Sequence, residues 1–162
     1  PNLHLQFHPD PLCDMIRPQL NIRLERPNGL YKPGEMLRTN VRIHNPDEIV
    51  IRALECSVLW YTVGQGDEDM AVHFFHREKP IRTGSMPWDQ PIPTECMLPA
   101  SPLSYDGIIV KLCWCVRARL FLERGREVVE EVPFCLGNVP AATMVNAIQH
   151  GEAAIQTDGH LF

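Results

Sequence analysis

The chain has 162 residues, 44% of them apolar and 22% charged, with a formal net charge of −5. That length carries one domain with its own hydrophobic core and needs no metal or disulfide staple. The acidic balance excludes a general nucleic-acid binder, whose affinity comes from a basic excess, and no run reaches the roughly 18 apolar residues that cross a bilayer.

Fifteen prolines predict many turns and few long helices. Residues 1–18 read as an N-terminal extension. The polar opening Pro1-Asn2-Leu3-His4 predicts no secretory signal. At Gln19–Leu24, Leu20, Ile22 and Leu24 alternate with Gln19, Asn21 and Arg23, as in a half-buried strand. Turns follow at 26–29 and 31–34. Residues 35–43 then repeat the pattern, with Leu37, Thr39, Val41 and Ile43 in one phase and Arg38, Asn40 and Arg42 in the other.

After the break at Asn45-Pro46-Asp47, residues 49–60 place Val50, Leu54, Cys56, Val58 and Trp60 in one phase, with Arg52 the single exception. Residues 63–69 form a loop, Met70–Glu78 a strand, 80–93 a proline-rich irregular stretch, and 94–98 a short extended piece. The longest pattern covers 108–122. Ile108, Val110, Leu112, Trp114, Val116, Ala118, Leu120 and Leu122 share one apolar face; Lys111, Cys113, Cys115, Arg117, Arg119 and Glu123 share the other. Arg124-Gly125-Arg126 turns this strand back into Glu127–Leu136, a hairpin and hence an antiparallel sheet. Past Gly137, residues 140–149 carry Ala141, Met144, Val145 and Ile148 at helical spacing. The expectation is an all-β, immunoglobulin-like antiparallel β-sandwich of seven or more strands, occupying 19–137. At most one short helix is expected, within a C-terminal segment at 138–162.

Two stretches carry a resemblance. "GLYKPGE" at 29–35, followed by a strand, a broken turn and a second strand, and then "LPASPLSYDGIIVKLCWCVRARL" at 98–120, resemble the amino-terminal domain of the arrestin superfamily. That group includes arrestins, α-arrestins and the arrestin-like subunit of the retromer. The resemblance covers about residues 19–136. It implies a sandwich that acts as an adaptor or scaffold by binding other proteins, without catalysis. The chain departs from the pattern in having room for one sandwich instead of two. It also shows no phosphate-sensing lysine pair, clathrin box or PPxY-type motif, so no phosphoreceptor residues carry over.

No catalytic, cofactor or metal residue is assigned from the sequence. His73, His76, Cys113 and Cys115 are the right types for zinc, but Cys-x-Cys is not a zinc knuckle, and strand alternation puts the two histidines on opposite faces. The six cysteines, at 13, 56, 96, 113, 115 and 135, read as reduced thiols of a cytoplasmic protein. Asp67, Glu68 and Asp69 form an acidic loop tip without a calcium-ligand pattern. No Gly-x-Ser-x-Gly elbow is present, and Gly64-x-Gly66 opens no helix.

Recognition has better candidates. Trp88, between Pro87 and Pro91, is placed to anchor a partner or to plug one end of the sandwich. Lys111, Arg117 and Arg119 form a basic stripe suited to an acidic partner or simply to solvent. Met70–Glu78 reads as an edge strand, with Phe74 and Phe75 on opposite faces, able to pair with an extended segment of another protein or of a second copy. The reading is a non-enzymatic, arrestin-like interaction module. The alternatives are a metal-dependent enzyme on a β-sandwich and a secreted immunoglobulin-like adhesion domain.

Overall fold

A computed structural model describes residues 18–46, 50–80 and 88–140. Its nine strands are β1 Gln19–Leu24, β2 Leu30–Tyr31, β3 Met36–His44, β4 Ile51–Gly64, β5 Met70–Glu78, β6 Ile92–Met97, β7 Tyr105–Asp106, β8 Val110–Leu122 and β9 Glu127–Leu136. They form two sheets. The small one has the order β1-β3-β6, and the large one β2-β9-β8-β4-β5 with β7 added against β8. The all-β sandwich read from the sequence is the fold. It is not purely antiparallel, because β2 runs parallel to β9. The helix expected at 140–149 and most of the N-terminal extension lie outside the described residues.

Each sheet contributes one apolar face to a single core. Leu20 and Ile22 of β1, Leu37, Val41 and Ile43 of β3, and Cys96 of β6 face Leu54, Cys56 and Val58 of β4, Trp114, Val116, Ala118, Leu120 and Leu122 of β8, and Phe134 and Leu136 of β9. This is period-two alternation meeting across an aligned sandwich. Thr39 keeps its place in the β3 phase and is buried.

Two irregularities shift the expected phases. In β4 the register with β8 slips between Ile51 and Ala53, so the bulged Arg52 turns outward and no longer interrupts the apolar phase. Val50, read as a core residue, lies ahead of that bulge and is exposed. In β5 the register with β4 slips between Val58 and Leu59, leaving His73 unmatched between Val72 and Phe74. The strand therefore has Ala71, His73, Phe74 and His76 toward the small sheet and Met70, Val72, Phe75 and Arg77 on the outer face.

The apolar face of β8 is shorter than its alternation. Ile108 and Val110 are exposed and Leu112 is half-buried, whereas burial is complete from Trp114 onward. The first residues of this 13-residue strand overshoot the small sheet, whose strands are six to nine residues long. On the outer face, Cys115 is buried rather than solvated. It lies in a central strand between Leu59 of β4 and Pro133 of β9, where a short side chain is screened by its neighbours.

Candidate interaction surface

The two stretches that carry the resemblance meet at one end of the sandwich. In the turn after β2, the Glu35 carboxylate accepts hydrogen bonds from the Lys32 N–H at 2.8 Å and from the Arg26 guanidinium at 2.6 Å. Those bonds hold its pKa below the ordinary glutamate value, the backbone bond contributing most. Arg26 also lies 5.0 Å over the Tyr31 ring. Gly34, at φ +78°, donates to the Leu98 carbonyl, and Leu98 donates back to Glu35, so the first motif is bonded directly to the start of the second.

Further along, the Trp114 indole donates to the Pro102 carbonyl at 2.9 Å, and the Ser104 hydroxyl accepts from the Leu136 N–H at 2.8 Å. Gly107 cannot be replaced by any larger residue without displacement, since a Cβ there would stand 2.4 Å from the Val110 carbonyl oxygen. The Ser101–Pro102 bond is cis. Every polar group of the two motifs that these bonds engage serves the fold.

The outer face of the large sheet divides into a polar half and an apolar half. On β8 and β9 the basic stripe is already neutralised. Lys111 pairs with Asp106 at 2.6 Å, Arg117 with Glu131 at 2.5 Å, and Arg119 with Glu127 at 2.8 Å. The guanidinium groups of Arg77 and Arg119 each lie 5.1 Å from the centre of the Phe121 ring, and Arg77 also pairs with the buried Glu55. An acidic partner would have to displace these carboxylates.

On β5 the picture reverses. Met70, Val72 and Phe75 are respectively 54%, 52% and 55% exposed, all on the outer face, and β5 is the last strand of its sheet. Phe74 points the other way and packs against the core, as does Trp88. The two phenylalanines do face opposite sides, but Phe75 alone is available at the surface.

The bulge brings His73 and His76 to the same side of β5, contrary to simple alternation. There the His73 ring bonds to the Met97 carbonyl and sits edge-on to Trp114, while His76 pairs with Glu78. Cys113 and Cys115 project from the opposite face of the sheet, and no three metal-ligating side chains gather among the described residues. Cys56, Cys96, Cys113, Cys115 and Cys135 are all free thiols. Burial raises the Cys56 thiol and pushes Cys96 and Cys115 up to about 11, so these three are protonated at neutral pH and are poor nucleophiles or ligands. In the acidic loop, Asp69 caps the Met70 N–H and is itself bonded to Thr62.

Sequence reading passed over one basic group. On the outer face of the small sheet, Arg42 stands opposite Asn21 and Arg23 opposite Asn40, with His44 beside them. Neither Arg23 nor Arg42 has a carboxylate partner among the described residues, whereas Arg38 beside them has two. Alternation in β1 and β3 placed both side chains outward; what it lacked was the register that makes them diagonal neighbours.

The class these features define is an all-β sandwich of two sheets. Among solved structures the chain is similar to the sporulation control protein Spo0M from Bacillus subtilis, with a TM-score of 0.50 and 13% identity, over 75% of this chain and 50% of that one. The likeness is one of fold, and the aligned region spans about half the length of the Spo0M chain. No family model and no curated protein matches. No helix among the described residues is long and apolar enough to cross a membrane.

Proposed function

We propose that this chain is a non-enzymatic interaction module, an adaptor or scaffold of the cytoplasm. Its docking element on this reading is β5, together with the outer-face side chains Met70, Val72 and Phe75. The observation that carries it is the coincidence of an open sheet edge with three half-exposed apolar residues in a row. Unpaired edges and clustered apolar side chains are both avoided on surfaces that bind nothing. A peptide strand added there gains backbone hydrogen bonds along the edge, while the apolar row selects its side chains. The ion-paired Arg117 and Arg119 and the Asp106-bound Lys111 form a neutralised border to this surface. Phe74 and Trp88 support it from the core. The domain spans 19–137, and no metal or cofactor takes part.

The test compares partners recovered from source-cell lysate by the intact chain, by the Val72→Glu/Phe75→Glu variant, and by an Arg23→Ser/Arg42→Ser control. Loss of the same partners only in the first variant, with circular dichroism and melting temperature unchanged, is the expected result. Recovery untouched by V72E/F75E, or lost with R23S/R42S instead, would overturn the assignment of β5.

A further inference from the structure

We propose that β5 pairs with β5 of a second copy of this chain, antiparallel about a twofold axis, joining two large sheets into one. The inference rests on the reading of β5 as the docking element and names its occupant.

The bulge at His73 fixes the register in which a second copy of the same strand can pair without gaps. Below it, the outer-face residues are Met70 and Val72; above it they are Phe75 and Arg77. The outward phase slips by one residue between the two halves, and the regular strand β4 follows both halves by leaving His73 unmatched, whereas a second β5 can follow them residue for residue. A second β5 carries the same slip at the same place. Pairing Val72 with Phe75 of the other copy sets His73 opposite Phe74, Ala71 opposite His76 and Met70 opposite Arg77. Every pair then matches outer face with outer face or inner with inner. Shifting this register by two residues in either direction sets an inner residue against an outer one at the centre.

Side-chain chemistry agrees with the geometry. About the twofold axis, Val72 and Phe75 of one copy meet Phe75 and Val72 of the other, covering four half-exposed apolar side chains on one face. Asp67, Glu68 and Asp69 precede the strand, and at its far end Lys79 follows Glu78 and Arg77, the latter already paired with Glu55. Antiparallel pairing therefore brings Glu68 to Lys79 of the other copy, twice by symmetry. Asp69 also meets Glu78 there, but each is already engaged, Asp69 with the Met70 N–H and Glu78 with His76. On its inner side the strand is tied to the core through His73, which bonds to the Met97 carbonyl and sits edge-on to Trp114. Among the described residues nothing pairs with the free side of β5.

The test uses the complete chain in sedimentation equilibrium at low salt. The expected result is a dimer that Val72→Glu/Phe75→Glu abolishes. Glu68→Lys or Lys79→Glu alone should raise the dissociation constant a few-fold, and the two together should restore it, because exchanged charges still face each other. Mixing Val72→Cys chains with Phe75→Cys chains should give an intermolecular disulfide, while either kind alone should not. A monomer at all concentrations, a dimer indifferent to V72E/F75E, or charge variants whose effects simply add would overturn the proposal. A monomer that still loses its lysate partners through V72E/F75E would sink self-pairing and leave the interaction-module reading standing. A monomer whose partners ignore that variant would sink both.

Discussion

At one edge of the large sheet, β2 contributes only Leu30 and Tyr31; at the other, β5 contributes nine residues. The short edge is capped by its own side chains. Asn28 accepts from the Leu30 N–H at 3.1 Å, and Arg26 donates to the Leu30 carbonyl at 3.2 Å. Toward the interior, Gly29 and Tyr31 accept from Cys135 and Gly137. Along β5, among the described residues, only the Met70 N–H has a side-chain cap, from its neighbour Asp69. One sheet thus contains, among the described residues, a closed edge and an open one. Among the described residues, polar side chains seal the edge at β2 but not along β5. On the proposed function, an edge left open beside three exposed apolar residues is explained by binding.

The sharpest way to break that contrast is to remove what joins the two edges. His73 of β5 lies 6.1 Å from Trp114, Trp114 lies 5.8 Å from Phe134, and Phe134 lies 5.6 Å from Tyr31 of β2, ring centre to ring centre. Trp114→Ala is expected to cost about 3–5 kcal/mol, as for other large buried aromatics, and to loosen both edges together. Denaturant unfolding gives the size. Amide exchange should show faster exchange in β2 and β5 alike; a loss confined to one edge would show that the ring chain does not couple them.

A smaller effect is expected at the closed edge. Ser104→Ala removes the acceptor of the Leu136 N–H, while the backbone bond from Ser104 to Leu136 remains. The expected loss is about 1 kcal/mol, the usual value of one hydrogen bond, read from the urea midpoint. No loss would mean that water replaces the hydroxyl.

The closed edge should also respond to acid. The pKa of Glu35 is lowered in the folded chain, so its contribution is fully present above the ordinary glutamate value and is lost as pH falls through the lower folded value. Stability measured downward from about pH 5 should therefore decline less steeply for Glu35→Gln than for the parent. Equal slopes would remove Glu35 from the acid response. The smallest change is expected at the polar half of the outer face. There Arg117→Ser/Arg119→Ser should alter stability by less than about 1 kcal/mol, because surface ion pairs contribute little. A larger loss would show that the stacking of Arg119 on Phe121 matters to the fold.

Period-two alternation made β1, β3, the core half of β8 and the sense of β9 legible, because one face of each is buried and the register is thereby pinned. The two turn-rich stretches carried the resemblance from which a sandwich was expected, and the structure bonds them to each other through Gly34, Glu35 and Leu98. Phe74 and Phe75 were separable by face from sequence alone. The neutralisation of Arg117 and Arg119 was partly within reach, since Glu127 and Glu131 share a phase across the same hairpin, but the pairing of Arg117 with Glu131 needed the turn geometry at Arg124 and Gly125, both at positive φ.

The sequence by itself determined the fold class and the apolar faces, since both depend on local alternation and on how much apolar surface must be buried. Only the tertiary structure decided where that alternation slips. An extra residue at Arg52 or His73 leaves no mark in composition; it exists only relative to the partner strand. The same holds for β2, two residues long and parallel to a strand more than a hundred positions away, and for which arginines lack a carboxylate partner among the described residues. These are long-range register facts. Among the described residues they make β5, with its slipped phase, a nine-residue edge strand whose free side pairs with no other.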